Sequence, residues 1–259
     1  MRKVVLLLTV AVAAIALIAA GAGTEIEQAT PFAPGQTVEA YAYVHGGYIG
    51  QVVITTDDAG EISATLDEAF MPHTLAIVDM DSDDWNEDNT VYYVQRGSEV
   101  RVAKHISYNG TPYTGVTVGG ALVYVESDEE GNPVGSTDLE MQIIRNEDNM
   151  AAWFESIADG RFEIFTEFGG TPEAVTTTSY GSLFKRGSEY WNFGIGWLGN
   201  MEALEEAAEQ IGTGYTLSEM TRGEDDYWAL ADAVTGATLS DFKDYFGLIQ
   251  RGVGRLSFR

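Results

Sequence analysis

Residues Gly46 to Glu68 read GGYIGQVVITTDDAGEISATLDE. Tyr48 to Thr56 has the β-branched and aromatic content of a strand, Asp57-Asp58-Ala59-Gly60 is a turn, and Glu61 to Leu66 returns as a second strand. The pattern is an antiparallel hairpin. Immediately upstream, Val38 to His45 alternates as another strand and is separated from the hairpin by Gly46-Gly47.

Further strands are predicted at Val91 to Gln95, Val100 to Ile106, Tyr113 to Val118, Ala121 to Glu126 and Leu139 to Ile144, with Asn109-Gly110 and Glu130-Gly131-Asn132-Pro133 as turns. Helical spacing then takes over. Asp148 to Ala158 places Met150, Trp153, Phe154 and Ile157 on one face and ends at Gly160, and further helices are predicted at Met201 to Ile211 and Asp241 to Arg251. The predicted fold class is α+β, a mainly antiparallel sheet with packed helices.

A second stretch bears on function. Asp232 to Ser240 reads DAVTGATLS and leads into DFKDYFGLIQRG, where Phe242, Tyr245, Phe246 and Ile249 share one helical face. Ser240 is the predicted N-cap of that helix and Gly252 its predicted stop. A helix start is an anion site, because its first amides lack intrahelical acceptors.

DAVTGAT resembles the covalent flavinylation motif Asp-x-x-(Ser/Thr)-Gly-Ala-Thr of FMN-binding domains, such as those in the flavin-carrying subunits of sodium-pumping NADH:quinone reductases and of Rnf electron-transport complexes. The hairpin is similar to the opening of the same family, in which a Gly-Tyr-x-Gly strand precedes an Asp-x-x-Gly turn; the family's following Glu-Thr-Pro-Gly is replaced here by Phe70 to Thr74, FMPHT. The resemblance implies an FMN-binding-domain-like fold and FMN held covalently, with its phosphate esterified to Thr238 by a separate flavin transferase. It also implies that Thr235, Gly236 and Ala237 shape access to that hydroxyl, and that Asp232 serves the modification step. The aromatic, glycine-rich segment YWNFGIGWLGN, Tyr190 to Asn200, is expected to border the flavin through Trp191, Trp197 and Asn200, or else to place Trp191, Phe193 and Trp197 in the core with Asn200 capping a helix.

The N-terminus, MRKVVLLLTVAVAAIALIAAGAG, sets Arg2 and Lys3 before an apolar run ending in Ala20-Gly21-Ala22. Residues 1–22 read as a signal peptide or membrane anchor, 23–37 as a linker, and 38–259 as the FMN-binding domain in one piece or two joined lobes. That order predicts an exported, extracytoplasmic chain, associated with a membrane if the leader is retained. The sequence has no cysteine, which excludes disulfides and thiolate chemistry. With 40 acidic against 14 basic residues and a formal charge of −26, nucleic acid is an unfavourable partner, whereas a saline setting or a cationic redox partner suits the surface. His45, His73 and His105 lack metal-ligand spacing, and no hydrolase or P-loop motif is present. Gly194-x-Gly196-x-x-Gly199 imitates a dinucleotide fingerprint without the parallel strand such a unit requires.

The leading expectation is an exported flavoprotein electron carrier that relays electrons from a membrane donor, such as an electron-transfer complex, to an extracytoplasmic acceptor. It is a redox protein rather than a stand-alone catalyst. The alternatives are an extracytoplasmic flavin-dependent reductase and a flavin-free surface binding protein.

Overall fold

The computed structural model describes residues 32–95, 97–230 and 233–258. The leader at 1–22, most of the linker, and Asp232 lie outside the described residues. Strands β1 (Thr37–Val44), β2 (Tyr48–Thr56) and β3 (Ile62–Ala69) form an antiparallel meander in that order. Its hairpin turn is closed by Asp57, whose Oδ1 accepts from the amides of Ala59 and Glu61, both at 2.8 Å. Ala40 pairs with Val52, and Val52 with Leu66, so apolar residues line up across the sheet.

The meander is buried on both faces. Ala40, Val44, Val52, Ile54, Ala64 and Leu66 belong to one apolar core, while Tyr41, Ile49 and Ala69 belong to another.

The second core is built by α1 (Pro72–Leu75), the pair β4 (Thr90–Gln95) and β5 (Ser98–Ala103), and strands β6 (His105–Tyr108), β7 (Thr111–Val118) and β8 (Ala121–Glu126). It also takes in α2 (Leu139–Ile143), α3 (Glu147–Ala158) and β9 (Phe162–Phe165), beside which lies the exposed edge strand β10 (Glu173–Ala174). The larger sheet runs β10-β9-β6-β7-β8. Trp153, fully buried, ties α3 to the residue that follows the meander by donating from Nε1 to the Phe70 carbonyl at 3.1 Å.

The first core is closed by α4 (Gly196–Ile211), a small sheet of β11 (Met220–Arg222), β12 (Trp228–Leu230) and β13 (Ala233–Val234), and α5 (Phe242–Val253). Every pairing between these strands is antiparallel. The architecture is mixed α and β with mostly antiparallel sheets, compatible with the α+β class.

Both edges of the meander are covered by side chains from distant parts of the chain. Glu205 and Glu209 of α4 accept from the amides of Leu66 and Ala64 at 2.6 and 3.2 Å, and Arg186 Nε donates to the Leu66 carbonyl at 2.8 Å. On the opposite edge Glu147 accepts from the Tyr41 amide at 2.7 Å, and Arg251 donates to the Tyr41 carbonyl at 2.9 Å. Unpaired strand edges invite further strand addition, and charged side chains are a standard way of blocking it.

Three expectations are corrected. Leu139 to Ile143 is a helical turn: the Asp138 side chain accepts from the Glu140 amide, and Leu139 and Ile143, one turn apart, are both buried. The predicted strand Val100 to Ile106 is broken at Lys104, whose amide donates to the Asn89 carbonyl, so the chain leaves one sheet and enters another. Phe242, Tyr245, Phe246 and Ile249 are buried as predicted. Gly252, however, lies inside α5, where an added Cβ would approach Ile54 Cγ1 to 2.7 Å and Val52 Cγ1 to 2.9 Å. This glycine permits close helix–sheet contact; it does not stop the helix.

Gly252→Ala is therefore expected to destabilise the protein by about 1–3 kcal/mol through overpacking. Gly247→Ala, in the same helix with nothing within 4 Å of the added methyl, should stabilise by about 0.5–1 kcal/mol. Urea midpoints at constant m-value measure both.

Candidate functional site

The Thr235–Leu239 segment wraps around Trp228. The Thr235 amide and hydroxyl both donate to the Trp228 carbonyl at 2.8 Å, the Trp228 amide donates to Ala237 O at 2.9 Å, and the indole N–H donates to Leu239 O at 2.6 Å. Gly236 has φ +82°, a left-handed conformation that favours glycine. Ala237 is fully buried, so its small methyl serves core packing rather than open access to the backbone.

Thr238 is clamped from two sides. Asn200 Oδ1 accepts from the Thr238 amide at 2.7 Å, the Leu239 amide at 3.0 Å and the Thr238 hydroxyl at 3.3 Å, and Asn200 Nδ2 donates to Gly196 O at 2.7 Å. Arg222 Nη2 donates to the Thr238 carbonyl at 2.7 Å. Asn200 is wholly buried and sits one turn inside α4, which begins at Gly196 with Ile195 as N-cap. It is thus a cross-brace between the helix and the Thr238 turn, not the helix cap.

The amides that would greet an anion at Thr238 are consequently occupied. Helix α5 starts only at Phe242, with Asp241 as N-cap, and Ser240, the expected cap, donates to Asp241 Oδ2 at 2.9 Å. Asp241 Oδ2 is in hydrogen-bonding contact with His45 Nδ1.

Two cavities flank the turn. A wide one of about 410 Å³ borders Thr235 and Gly236 together with Gln210 and Tyr227. The other, about 170 Å³, runs along Leu239, Ser240 and Asp241, with aromatic walls from Tyr190, Trp191, Trp197 and Tyr245. Trp197 is buried, as the core expectation requires, whereas Trp191 is 36% and Phe193 75% exposed. The structure therefore gathers Thr235, Gly236, Ala237, Thr238, Asn200, Trp191 and Trp197 into one neighbourhood.

Lys185 and Glu68, which are not among the residues expected from sequence, form a buried ion pair beside the same cavity. The ammonium lies 3.3 Å from the Tyr48 ring centroid and 4.6 Å from that of Tyr190. Such cation–π contacts partly replace lost hydration. Burial, and then the Glu68 charge and hydrogen bond, raise the Tyr245 hydroxyl far above its usual range. Glu68 is detectable in principle: β3 alternates Ile62, Ala64, Leu66, Glu68 towards the first core. Lys185 occupies a 3-10 turn, Lys185–Gly187, with no pattern to mark it.

His105 accounts for a separate feature. Its Nδ1 is 3.0 Å from Thr114 Oγ1 and its ring 4.8 Å from that of Phe168; burial first, and then Lys104, lower it to about 4.

No family model matches the chain, and no curated protein or solved structure is significantly similar to it.

Asn200→Ala leaves two backbone amides without their acceptor and is expected to cost about 2–4 kcal/mol, read by urea unfolding. His105 is neutral in the folded protein above about 4 and gains a proton near 6.5 when unfolded. Its contribution is therefore complete above pH 6.5 and lost as pH falls towards 4. His105→Gln should flatten the Tm profile across that window.

Proposed function

We propose that this protein is an exported flavoprotein electron carrier with an FMN-binding-domain-like fold, holding FMN through a phosphoester at Thr238. The observation that carries the reading is the clamped, partly buried Thr238, whose neighbour Leu239 lines an aromatic-walled cavity. Asn200 and Arg222 immobilise the backbone on both sides of the hydroxyl, which gives a modifying flavin transferase a fixed acceptor. The cavity is smaller than the roughly 300–1,000 Å³ common for ligand sites. An ester compensates, since a tethered group keeps a high effective concentration without full enclosure.

When bound, the flavin would supply the electron transfer; the protein supplies tethering, orientation and electrostatics. Trp197 and Tyr190 would exclude water from one side of the ring, and Lys185 would set the local potential. Export rests on the leader sequence, and the acidic surface suits a cationic redox partner over nucleic acid. A membrane donor and an extracytoplasmic acceptor complete the proposed relay.

Co-expression with a flavin transferase should produce a band that fluoresces on a denaturing gel. Thr238→Ala should be dark and Thr238→Ser should retain label, because only the hydroxyl is required. A dark wild type, or a fluorescent Thr238→Ala, would overturn the assignment.

A further inference from the structure

Lys185 lines the smaller cavity, whereas its partner Glu68 does not. Lys185 is therefore the member of the pair that an entering group adjoins. Trp197 is also in the cavity wall, 4% exposed, and its indole N–H makes no well-formed hydrogen bond although the Tyr245 hydroxyl lies near it. A buried donor whose hydrogen bond is poorly formed is costly, and in a cavity wall it leaves a place for a better-aligned acceptor atom.

Aromatic walls alone would equally suit a cation. Here that role is already filled: Lys185 Nζ sits against the Tyr48, Tyr190 and Trp197 rings at 3.3, 4.6 and 6.0 Å from their centroids. A second cation would be repelled. Asp241, the carboxylate on the cavity wall, is engaged by His45.

The geometry points to an acceptor-edge site: the cavity takes the edge of a planar aromatic ring carrying an anionic or carbonyl oxygen, with Lys185 Nζ and Trp197 Nε1 as donors. It favours the anionic form of such a ring over its neutral form. The inference rests on the proposed function only for the identity of the natural ring. Binding itself requires no ester.

The test uses full-length protein expressed without a flavin transferase. The probes are anthraquinone-2-sulfonate and uncharged 2-(hydroxymethyl)anthraquinone, followed by quenching of tryptophan emission. Wild type should bind the sulfonate about tenfold more tightly, the scale of one charge-assisted contact. Lys185→Met should remove that preference, Glu68→Gln should enlarge it, and Trp197→Phe should weaken both probes. Opposite effects from the two halves of one ion pair cannot arise from general loosening. The double variant K185M/E68Q, which leaves no unpaired buried carboxylate, should fold with an unchanged circular dichroism spectrum and show no preference. Failure of the wild type to bind either probe, equal affinity for both, or equal losses in Lys185→Met and Glu68→Gln would refute the site. Gel fluorescence at Thr238 is read separately: an absent ester with an intact sulfonate preference refutes only the flavin tether.

Discussion

A three-stranded meander has two outer strands whose outward amides and carbonyls no further strand satisfies. In this protein they are satisfied by side chains far away in sequence: Glu205, Glu209 and Arg186 on the β3 edge, Glu147 and Arg251 on the β1 edge. Because buried backbone groups need partners, this requirement draws α4, the 185–187 turn, α3 and α5 against the same small sheet. The two apolar cores follow, one on each face.

The candidate site is a by-product of that arrangement. Docking α4 against β3 places Asn200 where it can brace the Thr238 turn, and docking the 185–187 turn along the same strand delivers Lys185 to Glu68. Arg186 holds the edge of β3 while its neighbour Lys185 enters the core, so a single short turn serves both stability and site electrostatics. The buried pair contributes little net stability against apolar replacements of the same shape. Its position beside the cavity is therefore better explained by the charge it presents there.

Legibility varies with the range of the interaction. The hairpin from Tyr48, the α3 stripe and the apolar face of α5 depend on local periodicity, and they can be read with errors of up to three residues at their ends. Leu139 to Ile143 reads wrongly as a strand because so short an apolar run suits a strand or one helical turn, and the Asp138 cap decides between them. Gly252 reads wrongly as a stop because a glycine near a helix end signals termination unless a sheet lies against it.

Residue type and spacing along the chain were enough to decide the class of most elements, the mainly antiparallel pairing, the acidic surface, the lack of thiol chemistry and the tight turn at Thr235 to Thr238. Tertiary contacts were needed to decide that Asn200 is a brace rather than a cap, that Ala237 is core, that Trp191 is exposed while Trp197 is not, and that Lys185 and Glu68 meet. Those facts depend on residues tens to more than a hundred positions apart, and packing, not local preference, sets them.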